Sequence, residues 1–564
     1  MDPENGGPDG ADSVSDAMHL GEAATMDDIG PGADQAANAA ARIAVLRDRL
    51  ITPMPTDRVW GWIGPLIVTA FAAFLRFNRL SVPNAIIFDE TYYVKDAWTI
   101  LQHGVEWTWT QFPNANAQIV AGHTSFNFNC SGTACGEYVV QPPVGKLLIA
   151  VGEWLYGLTS FGWRTASAFF GTAAILVMCR VTRRLTRSTL LGCVGGLLLS
   201  LDGLEFVLSR TGILDIFLMF FVLASFGCLV VDRDVSRARL AEAVVLQPGD
   251  EAGPQLGIRK WRVAAGVLIG LAGGTKQDAI WYIFAFVGLC IAWDMGARRT
   301  AGLRSYVRGA LVRDGKWLPL TFGVIPLVTY IATWSGWFAT STGYDRNYAQ
   351  ANGVNLPIIS PLYSLFEYHK EMLQFGVGLN ARQSYESQPW DWLVITRPVA
   401  FFWQSYTNAA GTQLAAKNTT GPYVREVLAI GNPAIWWLSI PALVFCLCWW
   451  FTRRDWRAGA AVLCFLAGWA TWLPFVSRTK FYYYALEFEP FIIICIVLCL
   501  GLIIGPATAR VSRRVTGAVL AGIYILAVLI LFWYFYPILS AKVIPYSDWL
   551  SHMWYSGGGG VGWI

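Results

Sequence analysis

The chain has 564 residues, of which 55% are hydrophobic and only 14% charged, with a mean hydropathy of +0.43. A soluble chain of this length would carry nearer a quarter charged residues, so the composition is that of an integral membrane protein. The formal net charge of +4 is small and strongly partitioned along the chain, which gives a nucleic-acid partner no support.

Residues 1–41 open the chain with nine acids, many Gly and Ala, and no Lys or Arg before Arg42. That composition cannot bury a core and reads as a disordered acidic cytoplasmic tail. It lacks the basic n-region of a cleaved signal peptide. Residues 42–564 then form one transmembrane domain. Arg42, Arg47, Arg49 and Arg58 precede the first apolar run, Trp60 to Phe77, so the positive-inside rule puts the N-terminus in the cytoplasm. The loop 79–162 is therefore expected outside.

That loop gathers unusual chemistry. Asp89-Glu90 follows the first span, and Gln141-Pro142-Pro143-Val144-Gly145-Lys146 closes the polar stretch. Consecutive acids beside a membrane need water, a cation or a reacting hydroxyl in reach. A carboxylate facing a basic group is the minimum kit for deprotonating a nucleophile while steadying an anionic leaving group. The competing reading is a solvated interfacial loop. Cys130 and Cys135 lie here in a polar stretch, where an oxidising compartment would allow a disulfide. The other cysteines sit in apolar runs and behave as small hydrophobes. Lys146 to Tyr156 is too short to cross, at roughly eleven residues against about twenty, and reads as an amphipathic helix on the outer interface.

Further spans are expected at 163–182, 190 onward, 213–232, 263–274, 280–293, 317–334, 434–451, 458–475, 482–504 and 515–535. With 60–77 this makes about eleven, with basic residues at each inner end and the C-terminus outside. Between the spans ending at Trp334 and beginning at Ala434 lies a second external loop, 335–432, rich in Tyr, Asn, Gln and Trp. A loop this long is usually functional or disordered, and its aromatic content argues for function. The outer ends collect Asp89, Glu90, Lys146, Arg164, Arg210, Asp215, Lys276, Asp278 and Arg478. Arg164 or Arg478 alone could snorkel to headgroups, and Asp215 could pair with Arg210 or act directly. Together, cations on this side want an anionic partner, and a phosphate at the membrane surface is the natural one.

In this order the motifs resemble the protein O-mannosyltransferases, most of all their actinobacterial members. The shared marks are Asp89-Glu90, Pro-Pro-x-Gly-Lys at 142–146, Arg164-x-x-Ser-Ala-x-x-Gly171, Arg210-x-x-x-Leu-Asp215 and Gly274-Thr-Lys276. They continue with Tyr368-His369-Lys370-Glu371-Met372, Ser384-Tyr-x-Ser-x-Pro-Trp390, and Ser477-Arg478 ahead of Tyr482-Tyr483-Tyr484. Gln141 stands where the family usually has His, Phe375-Gly376-Val377 replaces a Phe-His-Thr-like run, and the β-trefoil insertion of the eukaryotic enzymes is lacking. The resemblance implies an all-α polytopic membrane protein of GT-C glycosyltransferase architecture. It also implies a polyprenyl-phosphate-mannose donor and Ser or Thr acceptors on exported polypeptides, met at the plasma membrane beside the secretion translocon. Asp89 would be the base of an inverting displacement, with Glu90 beside it. Lys146, Arg164, Arg210, Asp215, Lys276, Arg478 and Tyr482 would hold the donor; Gln141, Pro142, Tyr385 and Trp390 would hold the acceptor. No cofactor is required, although Glu90 leaves room for a divalent metal. Two rivals are a lipid-linked glycosyltransferase of the same architecture acting on a glycan or lipid, and a non-enzymatic lipid transporter.

Overall fold

The computed structural model describes residues 31–555 and Trp563. The expected disordered tail lies outside the described residues up to 30. From Pro31 to Leu50 the chain is helical (α1), which corrects that expectation for 31–41. The Ala-rich run through 36–45 favours helix, and Arg47 and Arg49 complement the dipole in the last turn. Leu50 anchors α1 against Leu240, Ala241 and Ala297.

The bundle follows as α2 (Trp60–Phe77), α3 (Glu90–His103), α4 (Ala115–Val120), α5 (Val144–Tyr156), α6 (Ser160–Thr186), α7 (Thr189–Ser200), α8 (Gly203–Leu208), α9 (Asp215–Leu246), α10 (Lys260–Gly273) and α11 (Ile280–Thr300). The later helices include Ile359–Gly378, Pro433–Arg453, Trp456–Trp469, Glu489–Ile504 and Val511–Leu539. Among the described residues seven helices are long and apolar enough to cross a membrane, or eight if the pair Tyr306–Trp317 and Leu320–Thr333, bent by 41°, is one span. The remaining expected runs form α7, α10 and Trp456–Trp469, with 12, 14 and 14 residues. Length and composition alone therefore do not reach the count of eleven. The protein is a multi-pass, predominantly helical membrane protein. α9 is buried over most of its length, whereas Val511–Leu539 leaves Val515, Val519, Ile523, Leu526 and Ile530 exposed, an apolar stripe suited to lipid.

At one end of the bundle α9, α10 and α11 are locked by charge. Arg259 reaches Asp294 at 2.8 Å, and Arg262 reaches Asp294 at 2.9 Å and Asp232 at 3.3 Å, all buried. The other end carries the candidate site. Two expectations change there. α5 is amphipathic, but its Lys146 and Glu153 face inward and are buried, while Leu147, Val151, Trp154 and Leu155 are exposed. The polar face of this helix turns to the protein and the greasy face away from it. Second, the 335–432 loop is not wholly irregular or helical. β1 (Val399–Tyr406) and β2 (Tyr423–Ala429) pair antiparallel from Val399↔Ala429 to Tyr406↔Tyr423, and β3 (Val543–Pro545) adds to β2. Phe401, Phe402, Trp403 and Tyr406 of β1 and Val424 and Val427 of β2 are residue types that suit a pleated, half-buried surface.

Candidate active site

The site is built on the turn before α3. Phe88 adopts a left-handed backbone (φ 47°), uncommon for a bulky residue, and its ring stacks on Phe401 of β1 at 4.4 Å. The small sheet thus props the turn that presents Asp89. The following residue, Glu90, is completely buried. It accepts from Arg164 Nε at 2.8 Å and Nη2 at 2.9 Å, and from the backbone N–H groups of Ile87 and Gly212, each at 2.9 Å. Arg164 spends its other donors on the carbonyls of Leu80, Pro83 and Ala85. Glu90 and Arg164 are therefore a closed clamp between α3 and α6. The structure places Glu90, expected in the chemistry, and Arg164, expected on the phosphate, in this clamp, with the polar atoms of both engaged there.

Asp89 is different. It is half-buried, and its Oδ2 accepts from the Tyr483 hydroxyl at 3.4 Å. Burial, then the charge of Asp215, push its carboxyl up to about 6, with Lys276 and Tyr483 pulling the other way. Lys276 Nζ lies 2.9 Å from Asp215 Oδ1 and sits over the Tyr484 ring at 4.8 Å. Burial works against its ammonium form, but Asp215, Tyr484 and Asp278 outweigh it and hold the lysine protonated. Asp215 is thus claimed by Lys276 and not by Arg210. Arg210 instead donates to the carbonyls of Leu75, Arg76, Asn78 and Arg79, capping the end of α2, which removes it from the expected donor site.

Lys146 is also withdrawn from the donor. It is buried at the head of α5, paired with Glu106 and, at 3.8 Å, with Asp96. Glu153, on the same inner face, has neither oxygen hydrogen-bonded among the described residues; burial and then the Asp96 charge hold its carboxyl well above the usual range. The Pro142-Pro143 turn does a positioning job. Val144 N donates to Gly274 O at 2.8 Å, coupling α5 to the segment carrying Lys276. A Cβ on Gly145 would meet Leu214 at 2.5 Å and one on Gly274 would meet Val144 at 2.7 Å, which explains glycine at both points. Pro142 is buried, and Gln141 beside it is half-buried.

Arg478 remains available. It is half-buried, touches the carbonyls of Gly376 and Thr479, lies over Trp472 at 4.9 Å and Tyr484 at 5.9 Å, and makes no ion pair among the described residues. Tyr482 turns away from the site: it is buried against Trp436, with its hydroxyl accepting from Gly431 N at 3.2 Å. The reason is the 3₁₀ turn over Tyr482–Phe488, which sends successive side chains about 120° apart. Tyr483 goes to Asp89 and Tyr484 to Lys276. Sequence reasoning missed those two, although three adjacent tyrosines were the signal, and it missed Tyr93, whose hydroxyl feels the Asp89 and Asp215 charges.

The acceptor candidates lie beside this cluster. Ser387 N donates to Lys480 O at 2.9 Å and Glu386 bridges Phe481, so the Ser384–Trp390 segment runs along the tyrosine turn. Trp390 is 52% exposed and Tyr385 is half-buried beneath Arg397 at 5.3 Å. Cys130 and Cys135 are joined, with Cα atoms 5.3 Å apart. No group of three or more His, Cys, Asp or Glu side chains is arranged to hold a metal among the described residues.

Residues 66–335 match the family described as dolichyl-phosphate-mannose-protein mannosyltransferase, and residues 361–557 match the C-terminal four TMM region of protein-O-mannosyltransferase. A polyprenol-phosphate-mannose–protein mannosyltransferase of Mycobacterium tuberculosis is 35% identical over 515 residues, covering 89% of this chain and 92% of that one. One from Corynebacterium glutamicum is 32% identical, covering 87% and 92%. The structure of the Saccharomyces cerevisiae Pmt1-Pmt2 complex bound to the sugar donor shares the fold, with a TM-score of 0.64 at 14% identity over 93% of this chain and 94% of that one.

Proposed function

The chain belongs to the protein O-mannosyltransferase family and is a mannosyltransferase, and from that premise we propose a site-specific mechanism with Asp89 as general base. Mannose passes from polyprenyl-phosphate-mannose to Ser or Thr hydroxyls of exported polypeptides. The acceptor oxygen attacks the anomeric carbon as Asp89 takes its proton. The bond from that carbon to the phosphate oxygen breaks, and the lipid phosphate leaves with the electron pair. One displacement inverts the anomeric centre. No cofactor enters this scheme.

The observation that carries the reading is Asp89 itself. Among the carboxylates first assigned to chemistry it is the one not closed off by an ion pair, and its raised proton affinity suits a base working near neutral pH. Lys276, held protonated against Asp215, and Arg478 are the cations placed to meet the departing phosphate. Trp390 and Tyr385 offer the extended acceptor an aromatic edge. The site faces the outside of the plasma membrane, with the N-terminus in the cytoplasm and the C-terminus outside, and it takes polypeptide as it leaves the secretion translocon. The basic 298–316 and 510–514 stretches support that orientation.

The test incubates purified protein with polyprenyl-phosphate-mannose and a Ser/Thr peptide. Asp89→Asn should lose about a hundredfold to ten-thousandfold in transfer rate while binding donor as before. Turnover above about a tenth of the parent would remove Asp89 from the role. Labelling of a glycan or lipid in place of the peptide would reject the acceptor class.

A further inference from the structure

A cavity of about 430 Å³ opens at the end of the bundle away from Asp89. α6 shows the separation: Arg164 starts it at the candidate site, and Arg180 lies sixteen residues on, about 24 Å along the axis. The cavity has two chemistries. Val177, Ala224, Cys228 and Leu268 of α6, α9 and α10 make a greasy wall, with Trp62 and Trp261 at its rim. Beside them stand Arg180, Arg183 and Arg184, and no acidic side chain lines the space among the described residues.

The three arginines are not equivalent. Arg183 is engaged by Asp57 at 2.7 Å and Arg184 by Asp234 at 2.9 Å, both carboxylates lying behind the lining. Arg180 has no acidic partner among the described residues. Its Nη1 donates to the Gly61 carbonyl, and its guanidinium carbon sits over the Trp62 ring, 3.9 Å from the centroid. Stacking fixes the plane of an arginine and leaves its edge donors free, which is the arrangement that grips a phosphate through paired N–H groups. Trp62, Arg180 and the apolar wall thus present a cation and an aromatic beside a slot of methyl and thiol groups.

The geometry points to a binding site for one anionic phospholipid, its phosphate on the edge of Arg180 and an acyl chain along Val177, Ala224 and Leu268. A free anion would use the arginine and leave the greasy wall bare; an uncharged lipid would leave Arg180 unpaired. Basic pockets between membrane helices are known to recognise lipid headgroups in this way. The site lies apart from the donor's reactive end, so occupancy is a property of the whole protein and not a step in transfer.

Native mass spectrometry of the full chain in detergent, offered phosphatidylglycerol and phosphatidylcholine in equal amounts, reads the site directly. The parent should retain one phosphatidylglycerol with a preference of about tenfold, the worth of one charge-assisted contact. Arg180→Gln should bring the preference close to one, and Arg180→Lys should keep part of it. Ala224→Phe, which fills the slot and leaves every arginine in place, should lower retention of the lipid, with unaltered thermal unfolding as the check on its folding. Equal retention of both lipids by the parent, or an unchanged preference in Arg180→Gln, overturns the proposal. So does glycerol phosphate binding the parent and Ala224→Phe as well as the intact lipid binds, since the wall would then be idle.

Discussion

Removing Arg164 tests the division between scaffold and site. Arg164 donates five hydrogen bonds, two to Glu90 and three to the carbonyls of Leu80, Pro83 and Ala85, and both members of the ion pair are completely buried. Arg164→Ala would leave Glu90 with the Ile87 and Gly212 N–H groups alone, and would orphan the carbonyls that shape the turn before Asp89. Deleting one partner of a buried pair costs about 3–5 kcal/mol, a drop of roughly two to four powers of ten in the folded population. Arg164→Lys should recover only part, because an ammonium is a point donor that cannot serve a carboxylate and three carbonyls together. Replacing both Arg164 and Glu90 by Met should harm less than Arg164→Ala, because no buried charge is left alone. The assay is tryptophan-monitored thermal unfolding in detergent, run beside donor KM at a temperature where each variant is still folded. The expected outcome is a large fall in unfolding temperature with donor KM near the parent's. A stable Arg164→Ala whose donor KM has risen tenfold or more would refute the clamp and return Arg164 to the phosphate.

As the proposed base, Asp89 would have to be ionised to accept a proton, and with its carboxyl raised to about 6, kcat/KM should be level above that pH and fall as pH drops through it; a profile flat down to pH 5 would contradict this. Arg478→Ala, which removes a cation with no ion pair among the described residues, should raise donor KM about ten- to a hundredfold, the worth of a hydrogen bond between charged groups, with peptide KM unchanged. Intact mass after alkylation should show Cys130 and Cys135 unreactive until a reductant is added; labelling of both without reductant would count against the bridge.

Hydropathy made the spans legible because lipid demands long apolar helices, and each expected run falls on a helix or a bent pair. It located α5 as a short amphipathic helix, but periodicity does not say which way a polar face turns, and here that face turns into the protein. The sheet was hidden for a related reason: β1 and β2 are separated by a polar stretch, and β3 arrives from residue 543, a pairing no local pattern can display. In the site, the motif positions were legible and their roles were not. Arg164, Arg210 and Lys146 looked like phosphate ligands because charge near a membrane edge is costly without a partner. The structure supplies partners from within: Glu90 for Arg164, backbone carbonyls for Arg210, Glu106 and Asp96 for Lys146.

That internal pairing bears on how a membrane glycosyltransferase holds a reactive carboxylate. A lone Asp in a half-buried, low-dielectric turn would simply stay protonated, and a fully paired one would be too weak a base. Asp89 lies between these limits: burial and then Asp215 raise its proton affinity, while Lys276 and the Tyr483 hydroxyl limit the rise. Asp215 can press on Asp89 only moderately because Lys276 neutralises it at 2.9 Å. Lys276 in turn is held in place from α5, through Val144 N on Gly274 O, and Asp89 from β1, through Phe88 on Phe401. The buried Glu90–Arg164 clamp fixes the turn without adding net charge to the site. The motif residues around Asp89 therefore divide into those that chiefly set its proton affinity, Asp215, Lys276 and Tyr483, and those that chiefly set its position, Phe88, Glu90 and Arg164.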